Sequence, residues 1–547
     1  MIASDAHPLV IGRRGLNALR DRPLLRLWVS ILATVGVLLA LTRGRFTTND
    51  DVLMRSIASG SLGGTPDPHL VYINIVLGGP LSLLYRIAPF VPWYAVLLNS
   101  AGALSLGCLA WVLLRNADRS ESPFLGLVIG VPLSIGVVLQ TFTASAMIAT
   151  AAGMAIHLVS LRDGESRKLD MVALLLVLLG VALRIDAAWF AIALGESAIL
   201  VTQPRWMSRR HLAFVGAAVV GALALRGIDL SAYRFDEKWH SYKLFNEQLG
   251  QLSSTPRLAP SPELTTARIK AGWSASDVVL LDRWLYTDPQ VFSAKALATI
   301  VDGTRRVTGG RSWVTALRND IIDPYRGWLV CITAAFLAVG ARQWRSIAAV
   351  VAMTGLWIAA GTYLSLFRHF PERVAMPGLS TIIVILGAAH FVRGWSRSRV
   401  SLLFGLLLIP AIGFIHDGAT RAAANNQRLT AQLDAMVRMD NDATYVFVGS
   451  SVTLEGQSSL TGDPSGPKRF IVLSWTNFTP PQDRELARLG IIDPIMAAAQ
   501  RLDVFLVVPA PNAQEYVAYV NDWLTEKSYS GAPIRVVSEH AGLAFLS

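Results

Sequence analysis

Residues 24–51 read LLRLWVSILATVGVLLALTRGRFTTNDD, an apolar run followed at once by two adjacent acids. The run Leu24–Leu41 approaches the roughly 20 residues that a helix needs to cross a bilayer. Four arginines precede this run, and no small-residue cleavage site follows it. We therefore expect an uncleaved membrane anchor with a cytoplasmic N-terminus, which places Asp50 and Asp51 just outside the membrane.

The composition of the whole chain agrees with a membrane protein. Of 547 residues, 52% are hydrophobic and only 16% are charged, whereas soluble domains carry about 25% charged residues. These values exclude a disordered, collagen-like or disulfide-scaffold protein. The two cysteines, Cys108 and Cys331, lie in apolar runs and predict no disulfide, and no Cys/His spacing typical of zinc occurs.

Eleven further apolar runs follow the first, and two polar regions interrupt them. The runs are 69–88, 93–114, 123–140, 143–161, 169–185, 187–203, 211–226, 327–341, 346–367, 374–392 and 399–415. We predict a mainly α, polytopic transmembrane helix bundle of about 11–13 spans with a small α/β C-terminal domain. The predicted segments are a cytoplasmic N-terminus (1–23), an N-terminal transmembrane module (24–226) with a first outside loop (43–68), an extracytoplasmic helical loop (227–326), C-terminal transmembrane helices (327–415) and an extracytoplasmic α/β domain (416–547).

The basic residues predict the orientation. The net charge is +11, but much of the Lys and Arg lies in short clusters between apolar runs, as in cytoplasmic loops, so we expect no nucleic acid partner. The clusters are Arg115/Arg119, Arg162/Arg167/Lys168, Arg205/Arg209/Arg210, Arg342/Arg345 and Arg393/Arg397/Arg399. All face the cytoplasm if 69–88 is a broken or re-entrant segment, with Gly78, Gly79 and Pro80 as the break. The alternative is that 69–88 crosses the membrane and another short apolar segment does not.

The polar regions contain their own secondary-structure signals. In the first region, Trp239, Tyr242, Phe245 and Leu249 recur at helical spacing, which fits helices on the membrane surface or the core of a small soluble insert. Ser274 and Asp277 resemble a capping box. In the C-terminal region, strands at 444–448, 470–474 and 504–508 alternate with helical patterns at 482–489, 492–502 and 513–527, which indicates a partly parallel sheet. The turn Gly449–Ser451 follows the first strand, where such folds often bind ligands, but a lone Gly-Ser-Ser turn favours a structural role.

Asp50 and Asp51 are the first candidates for chemistry. Adjacent carboxylates at a membrane surface suit a general base, a metal or a cationic ligand. The alternative is a helix start, in which Thr48 or Asn49 caps a helix and the helix dipole favours the two acids in its first turn. Further along the same loop, Asp67 and His69 lie in a Gly/Pro-rich turn before the next apolar run. One interpretation of His69 is that it orients a hydroxyl or a phosphate, and the other is that it makes an ordinary interface contact.

Charged residues also interrupt the apolar runs at two places. Arg184 and Asp186 flank Ile185 between two runs, as functional groups or as a self-satisfied pair. Arg368, His369 and Arg373 lie between two spans on the predicted outer side, where an anionic headgroup such as a lipid phosphate would explain the arginines. Together with Asp67 and His69, these five residues are our candidates for substrate or donor binding.

The arrangement resembles the GT-C superfamily of integral-membrane glycosyltransferases. An Asp-Asp pair follows the first span, and Asp67-Pro68-His69-Leu70 loosely matches the His-Pro-Pro-Leu sequence of several members. Three stretches are also similar to those of a group of uncharacterised bacterial multi-pass membrane proteins: Asn49–Tyr94, Phe245–Gln248 and Trp273–Ser293. The resemblance extends over most of the chain.

The resemblance implies an inverting hexosyl- or pentosyltransferase of the cell membrane. Its donor would be a polyprenyl-phosphate-linked sugar, and its acceptor a cell-envelope glycan, lipid or protein on the outer face. Asp50 and Asp51 would be catalytic, with Asp50 the base and Asp51 the ligand of a divalent cation (Mg or Mn) in metal-dependent members. Rival classes are a lipid or polysaccharide transporter or flippase, and a non-catalytic protein of envelope assembly.

Overall fold

The structure is a computed structural model that describes most of the chain. The described ranges are 23–115, 122–164, 167–203, 207–252, 258–304, 312–340, 344–367, 370–390, 397–460, 466–529 and 531–547. Several predicted positions lie outside these ranges: the N-terminus before residue 23, Arg119, Arg205, Arg342, Arg368, His369 and Arg393.

Most of the apolar runs form helices, as predicted. They are α1 (Pro23–Thr42), α2 (Asn49–Ser59), α3 (Ile75–Ile87), α4 (Trp93–Arg115), α5 (Ser122–Leu139), α6 (Phe142–Asp163), α7 (Arg167–Leu183), α8 (Ile185–Thr202) and α9 (Arg209–Phe235). Within the described part, seven helices are long and apolar enough to cross a membrane: α1, α4, α6, α8, α9 and two later helices at 347–366 and 372–389. The chain is therefore a multi-pass membrane protein, and the count of 11–13 spans stays a prediction.

Helix α6 is the centre of the bundle, and 94% of its most apolar stretch is buried. Its sequence, FTASAMIATAAGMAIHLVSLRD, is rich in Ala and Gly, and small side chains let neighbouring membrane helices approach closely. On α7, a Cβ atom at Gly180 would lie 2.0 Å from the Thr150 hydroxyl of α6. Glycine is therefore required at this position.

The segment 69–88 does not form a single spanning helix. Residues 69–74 are non-helical, and α3 has only 13 residues, about 20 Å at 1.5 Å per residue and less than the ~30 Å of a bilayer core. The interruption precedes Gly78 and Pro80 instead of falling on them, because Asn74 caps the helix and Pro80 lies inside it. Gly78 allows a close approach, since a Cβ there would lie 2.0 Å from the carbonyl oxygen of Pro68.

The first polar region consists mainly of short helices: α10 (Glu237–Leu252), α11 (Pro262–Ala271), α12 (Ala275–Asp282) and α13 (Ala294–Thr304). Its predicted aromatic face is buried, with Trp239 1% and Phe245 4% exposed. Tyr242 donates to the carbonyl of Trp475, 2.8 Å away, so the face packs on the C-terminal domain as a soluble core. The Ser274–Asp277 capping box of α12 is present.

The remaining elements follow in chain order. Helix α14 (Trp313–Ala316) continues through a π-helical segment (Leu317–Ile322) into α15 (Asp323–Gly340), and α16 (Trp344–Phe367), α17 (Glu372–His390) and α18 (Arg397–Met439) complete the helical part. Then come β1 (Thr444–Val448), β2 (Arg469–Leu473), α19 (Pro480–Arg488), α20 (Pro494–Gln500), β3 (Val504–Pro509), α21 (Ala513–Glu526), β4 (Val536–His540) and β5 (Leu543–Leu546).

The C-terminal strands form one sheet in the order β2-β1-β3-β5-β4. Strand β1 pairs in parallel with β2 and β3, so that Val446 lies opposite Ile471 and Leu506. Strands β5 and β4 add an antiparallel edge. The three predicted strands are found within one residue of their expected bounds, whereas the β4–β5 hairpin was not predicted.

The end of an apolar run does not mark the end of a helix. Helix α18 runs through the boundary predicted at 415/416, and α9 runs through that at 226/227. Beyond residue 415, Leu429, Leu433 and Met436 recur at helical spacing and are buried together with residues of the sheet. The second half of α18 is thus part of the C-terminal domain.

Candidate functional site

The two acids lie in the first turn of α2. Thr48 caps this helix with extended backbone, and its hydroxyl accepts a hydrogen bond from the backbone N–H of Asp51. Neighbouring residues of a helix point about 100° apart, so the carboxylates of Asp50 and Asp51 have different surroundings. Thr48 thus caps the helix, as one of the two sequence interpretations predicts, whereas a catalytic role of Asp50 or Asp51 stays a prediction.

The carboxylate of Asp51 is fully buried and tied to three segments. Its Oδ2 accepts from the Thr48 hydroxyl at 2.8 Å. Its Oδ1 accepts from the Tyr94 hydroxyl of α4 at 2.9 Å and from the backbone N–H of Phe142, at the start of α6, at 3.1 Å. Burial raises the pKa of Asp51 to about 7, although these three hydrogen bonds oppose the shift. Asp51 thus fixes α2 to the helix bundle.

The surroundings of Asp51 do not fit a metal ion. Both carboxylate oxygens already accept from hydrogen-bond donors, and a divalent cation takes several oxygen ligands. Among the described residues, no three His, Cys, Asp or Glu side chains come together as a metal site. We therefore derive no step through a metal.

The carboxylate of Asp50 faces a different group of residues, and its side chain is 22% exposed. Its Oδ2 accepts from Nη1 of Arg373, in the first turn of α17. Its Oδ1 accepts from the indole N–H of Trp475 at 3.0 Å. These contacts bring together residues that are hundreds of positions apart in the chain.

Arg184 lies beside this pair, at the junction of α7 and α8. Its guanidinium donates to the Thr143 hydroxyl at 2.9 Å and lies over the ring of Phe142, 4.8 Å from the centroid. Its charge interacts with those of Arg373 and Asp50. The carboxylates of Asp186 and Asp50 partly offset the charges of the two arginines.

Tyr72 completes the group that we call the Asp50 cluster: Asp50, Tyr72, Arg184, Arg373 and Trp475. The ring of Tyr72 stacks on Phe142 and meets Trp475 edge-on, with centroids 5.9 and 5.2 Å away. Burial, together with the negative charge of Asp50, raises the pKa of Tyr72 well above its ordinary value, so its hydroxyl stays protonated.

A cavity of about 400 Å³ adjoins the cluster. Arg373 lines it together with Thr48, the start of α17 and the middle of α18. Arg373 therefore contacts Asp50 and also faces the cavity. Ligand sites commonly have volumes of about 300–1,000 Å³, so a headgroup of small-molecule size fits there.

Asp67 and His69 form a packed junction of their own. His69 binds Asp67 through its ring nitrogen at 2.9 Å and stacks on Trp239, with centroids 4.9 Å apart. The other oxygen of Asp67 accepts from Arg484 of α19 at 3.3 Å. Burial opposes the shift, but the hydrogen bonds from His69 and Arg484 lower the pKa of Asp67 below its ordinary value. This junction joins the first loop to α10 and the C-terminal domain, and a ligand-binding role for the two residues stays a prediction.

The other predicted site residues are less informative. Asp186 is exposed in the first turn of α8, where the helix dipole favours an acid. Arg368 and His369 lie outside the described residues. The structure thus brings together Asp50, Arg184 and Arg373 of the predicted set.

Sequence reasoning missed Tyr72 and Trp475. Trp475 follows β2, and the loops after parallel strands commonly carry binding residues, but the sequence gives a turn signal only in the loop after β1. There Gly449 makes a structural turn, since its φ is +57° and a Cβ would lie 3.0 Å from Trp284. Nothing in the sequence near Tyr72 distinguishes it from a core aromatic residue.

The chain was also compared with known proteins. No protein-family model and no curated protein matches it. Two solved structures are similar: ArnT from Cupriavidus metallidurans bound to undecaprenyl phosphate (14% identity) and the same protein in the apo state (12% identity). Each alignment covers 95% of this chain and 97% of the other, with a TM-score of 0.38. A TM-score this low supports no conclusion about the activity or ligands of this chain.

Proposed function

We propose that the protein is a membrane glycosyltransferase that moves a sugar from a polyprenyl-phosphate donor to a glycan, lipid or protein acceptor at the outer face of the membrane. The observation that carries the proposal is the contact of Asp50 with Arg373, beside Arg184. A carboxylate and two guanidinium groups at one point suit a reaction that removes a proton from one reactant and releases an anion from the other.

Asp50 is the base in this proposal. An acceptor hydroxyl attacks the anomeric carbon, its proton passes to the Asp50 carboxylate, and the bond from that carbon to the donor phosphate breaks with its electrons on the phosphate. A single displacement of this kind inverts the anomeric centre. Asp50 is partly exposed, whereas Asp51 is buried and has both oxygens occupied. Asp50 is thus the acid of the pair that can meet a substrate.

Arg373 and Arg184 stabilise the departing phosphate. A guanidinium group has five N–H donors, and Arg373 uses Nη1 for Asp50 while it also lines the cavity. The charges of the two arginines repel each other, and the carboxylates of Asp186 and Asp50 offset this repulsion in part. A phosphate that gains charge as the sugar leaves completes the neutralisation, which lowers the barrier.

The membrane position supports a lipid-linked donor. The Asp50 cluster lies at the ends of apolar helices: α6 begins at Phe142, beside Asp51, and α8 begins at Ile185, next to Arg184. A prenyl chain among the helices would place its phosphate near these ends. The acceptor class and the sugar are part of the proposal only in this general form.

The test measures release of polyprenyl phosphate from a panel of synthetic polyprenyl-phosphate sugars by the purified full-length protein, with mass spectrometry as the readout. Loss of a general base costs roughly 10²–10⁴ in rate, so we expect Asp50→Asn to lose at least 100-fold and to keep its melting temperature within a few degrees. Asp503→Asn is the matched control, because it breaks a similar Asp–Arg pair with Arg501 on the sheet domain.

Two results would contradict the proposal. One is full activity of Asp50→Asn with only a lower melting temperature, which would make Asp50 a structural residue. The other is turnover of no member of the panel by the folded wild-type protein.

A further inference from the structure

Two buried histidines, His157 of α6 and His211 of α9, are in contact inside the bundle, far from the Asp50 cluster. Helix α6 begins beside Asp51 at Phe142, and His157 lies about 22 Å further along it at 1.5 Å per residue. The two histidines are 0% and 3% exposed. Nε2 of His157 lies 3.1 Å from Nδ1 of His211.

The other nitrogen of each ring contacts a carboxylate. Nδ1 of His157 lies 2.9 Å from Oδ1 of Asp170 of α7, and Nε2 of His211 lies 3.1 Å from Oε2 of Glu196 of α8. The titratable groups that face His157 are thus Asp170, His211 and Glu196. We call this row of four side chains, Asp170, His157, His211 and Glu196, the histidine chain.

The histidine chain needs one hydrogen more than its neutral rings supply. It has three contacts, each of which requires a hydrogen between its two atoms. Two neutral imidazoles supply two hydrogens, and ionised carboxylates supply none. If both hydrogens point at the acids, two nitrogen lone pairs face each other across 3.1 Å. Any other placement leaves a carboxylate against a ring nitrogen without a hydrogen between them.

A third proton also balances the charge of the site. The two acids carry two negative charges when ionised, and Arg210 of α9, which binds the second oxygen of Asp170, supplies one positive charge. The third proton brings the sum to zero, whereas without it a negative charge remains in a largely buried place, which is costly. Because Asp170 is held by Arg210, the groups left to carry this proton are His157, His211 and Glu196, which titrate as one unit.

Helix α9 depends strongly on this contact. Of its 27 residues, all of which the structure describes, five are buried: His211, Phe214, Ala218, Ala222 and Tyr233. The first two of these contact His157, since the ring of Phe214 stacks on that of His157 with centroids 3.7 Å apart. The start of α9 is therefore attached to the bundle mainly through His157.

We propose that the histidine chain is a binding site for one dissociable proton, which is bound at physiological pH and joins the start of α9 to α6. Loss of the proton leaves one contact without a hydrogen and a negative charge inside the bundle, so the joint loosens as the pH rises. Histidine is the side chain that titrates in this range. By the predicted orientation this end faces the cytoplasm. The proposal does not depend on sugar transfer.

Glu196→Gln tests the proposal, because its amide supplies the third hydrogen at every pH. The amide donates to Nε2 of His211, Nδ1–H of His211 donates to His157, and Nδ1–H of His157 donates to Asp170. The measurement is the melting temperature of the purified full-length protein between about pH 6 and about pH 9. We expect Glu196→Gln to melt no higher than the wild type at the low end and a few degrees higher at the high end, because only the wild type loses a proton from the chain.

The control is Glu485→Gln, which removes the same charge from an ion pair with Arg488 on the sheet domain. Its difference in melting temperature from the wild type should not change with pH. Groups that titrate elsewhere act on all three proteins and cancel in these differences. If Glu196→Gln melts below the wild type at every pH, Glu196 is an ordinary ion-pair partner of His211 and the proposal is wrong. A difference that does not change with pH would overturn it as well.

A second measurement needs no variant. In the wild type, amide hydrogen exchange at residues 209–218, corrected for the intrinsic effect of pH, should become faster relative to α4 as the pH rises, because the start of α9 opens more often. Unchanged protection of this segment over the same pH range would contradict the proposal even if Glu196→Gln did not fold.

Discussion

At the scale of single residues, Asp50 and Asp51 are neighbours in the chain, but their carboxylates have different surroundings. Asp50 is held by Arg373 and Trp475 and remains partly exposed. Asp51 is enclosed by Thr48, Tyr94 and Phe142, whose donors are neutral. Burial raises the pKa of Asp51 and so favours its protonated form.

The raised pKa of Asp51 predicts a pH-dependent stability. Its pKa is about 7 in the folded protein and about 3.9 in an unfolded chain. The stabilisation is complete below the unfolded value and is lost as the pH rises through the folded value. We expect the free energy of unfolding to fall by a few kcal/mol between about pH 4 and pH 7.

Asp51→Asn should flatten this pH dependence, because the amide does not ionise. The measurement is chemical unfolding of both proteins across the pH range. Asp277→Asn is the control for a change at the third residue of a capped helix, since Asp277 holds this position in α12. An equally steep pH profile in Asp51→Asn would show that another group titrates.

At the scale of elements, a chain of polar side chains connects four helices at the end of the bundle opposite the Asp50 cluster. Asp170 of α7 contacts His157 of α6 at 2.9 Å and Arg210 of α9. His157 contacts His211 at 3.1 Å, and His211 contacts Glu196 of α8, also at 3.1 Å. Such a chain fixes the relative positions of α6, α7, α8 and α9.

Asp170→Asn should destabilise the protein through this chain. Removal of one partner from a largely buried ion pair costs about 3–5 kcal/mol, and the Asp170 side chain is 15% exposed. We expect the melting temperature of the purified protein to fall by several degrees. Asp282→Asn, at an acid whose side chain is 58% exposed, should leave it unchanged. Equal melting temperatures for the wild type and Asp170→Asn would show that the chain does not stabilise the bundle.

The elements were more predictable from sequence than their contacts. Residues 444–448, TYVFV, form a fully buried strand as their apolar, β-branched pattern predicts. The β4–β5 hairpin was not predicted, because its two-residue turn contains Ala541 and Gly542, both at positive φ, and only Gly542 is a residue type that favours this conformation. By contrast, the contact between Trp475 and Asp50 joins residues more than 400 positions apart. It depends on how the sheet packs against the bundle, and no local pattern encodes it.

At the scale of the whole molecule, the polar regions gather at one end of the helices. The first loop meets the C-terminal domain at Gly44 and Ser459, and α10 meets it at Tyr242 and Trp475. These regions therefore share one side of the membrane. Arg162 and Arg210 lie at the other end, near His157. This separation agrees with the orientation that the basic clusters predict, with the C-terminal domain outside.

The orientation itself can be tested with single cysteines at exposed positions on the two ends. Ile492 is 97% exposed on the C-terminal domain, and Met207 is 60% exposed beside the basic cluster at the start of α9. In whole cells, a membrane-impermeant maleimide should label Ile492→Cys, and Met207→Cys should react only after the membrane is permeabilised. The unmodified chain, with Cys108 and Cys331, gives the background. Labelling of Met207→Cys alone in intact cells would place the Asp50 cluster in the cytoplasm, which would exclude a donor sugar presented at the outer face.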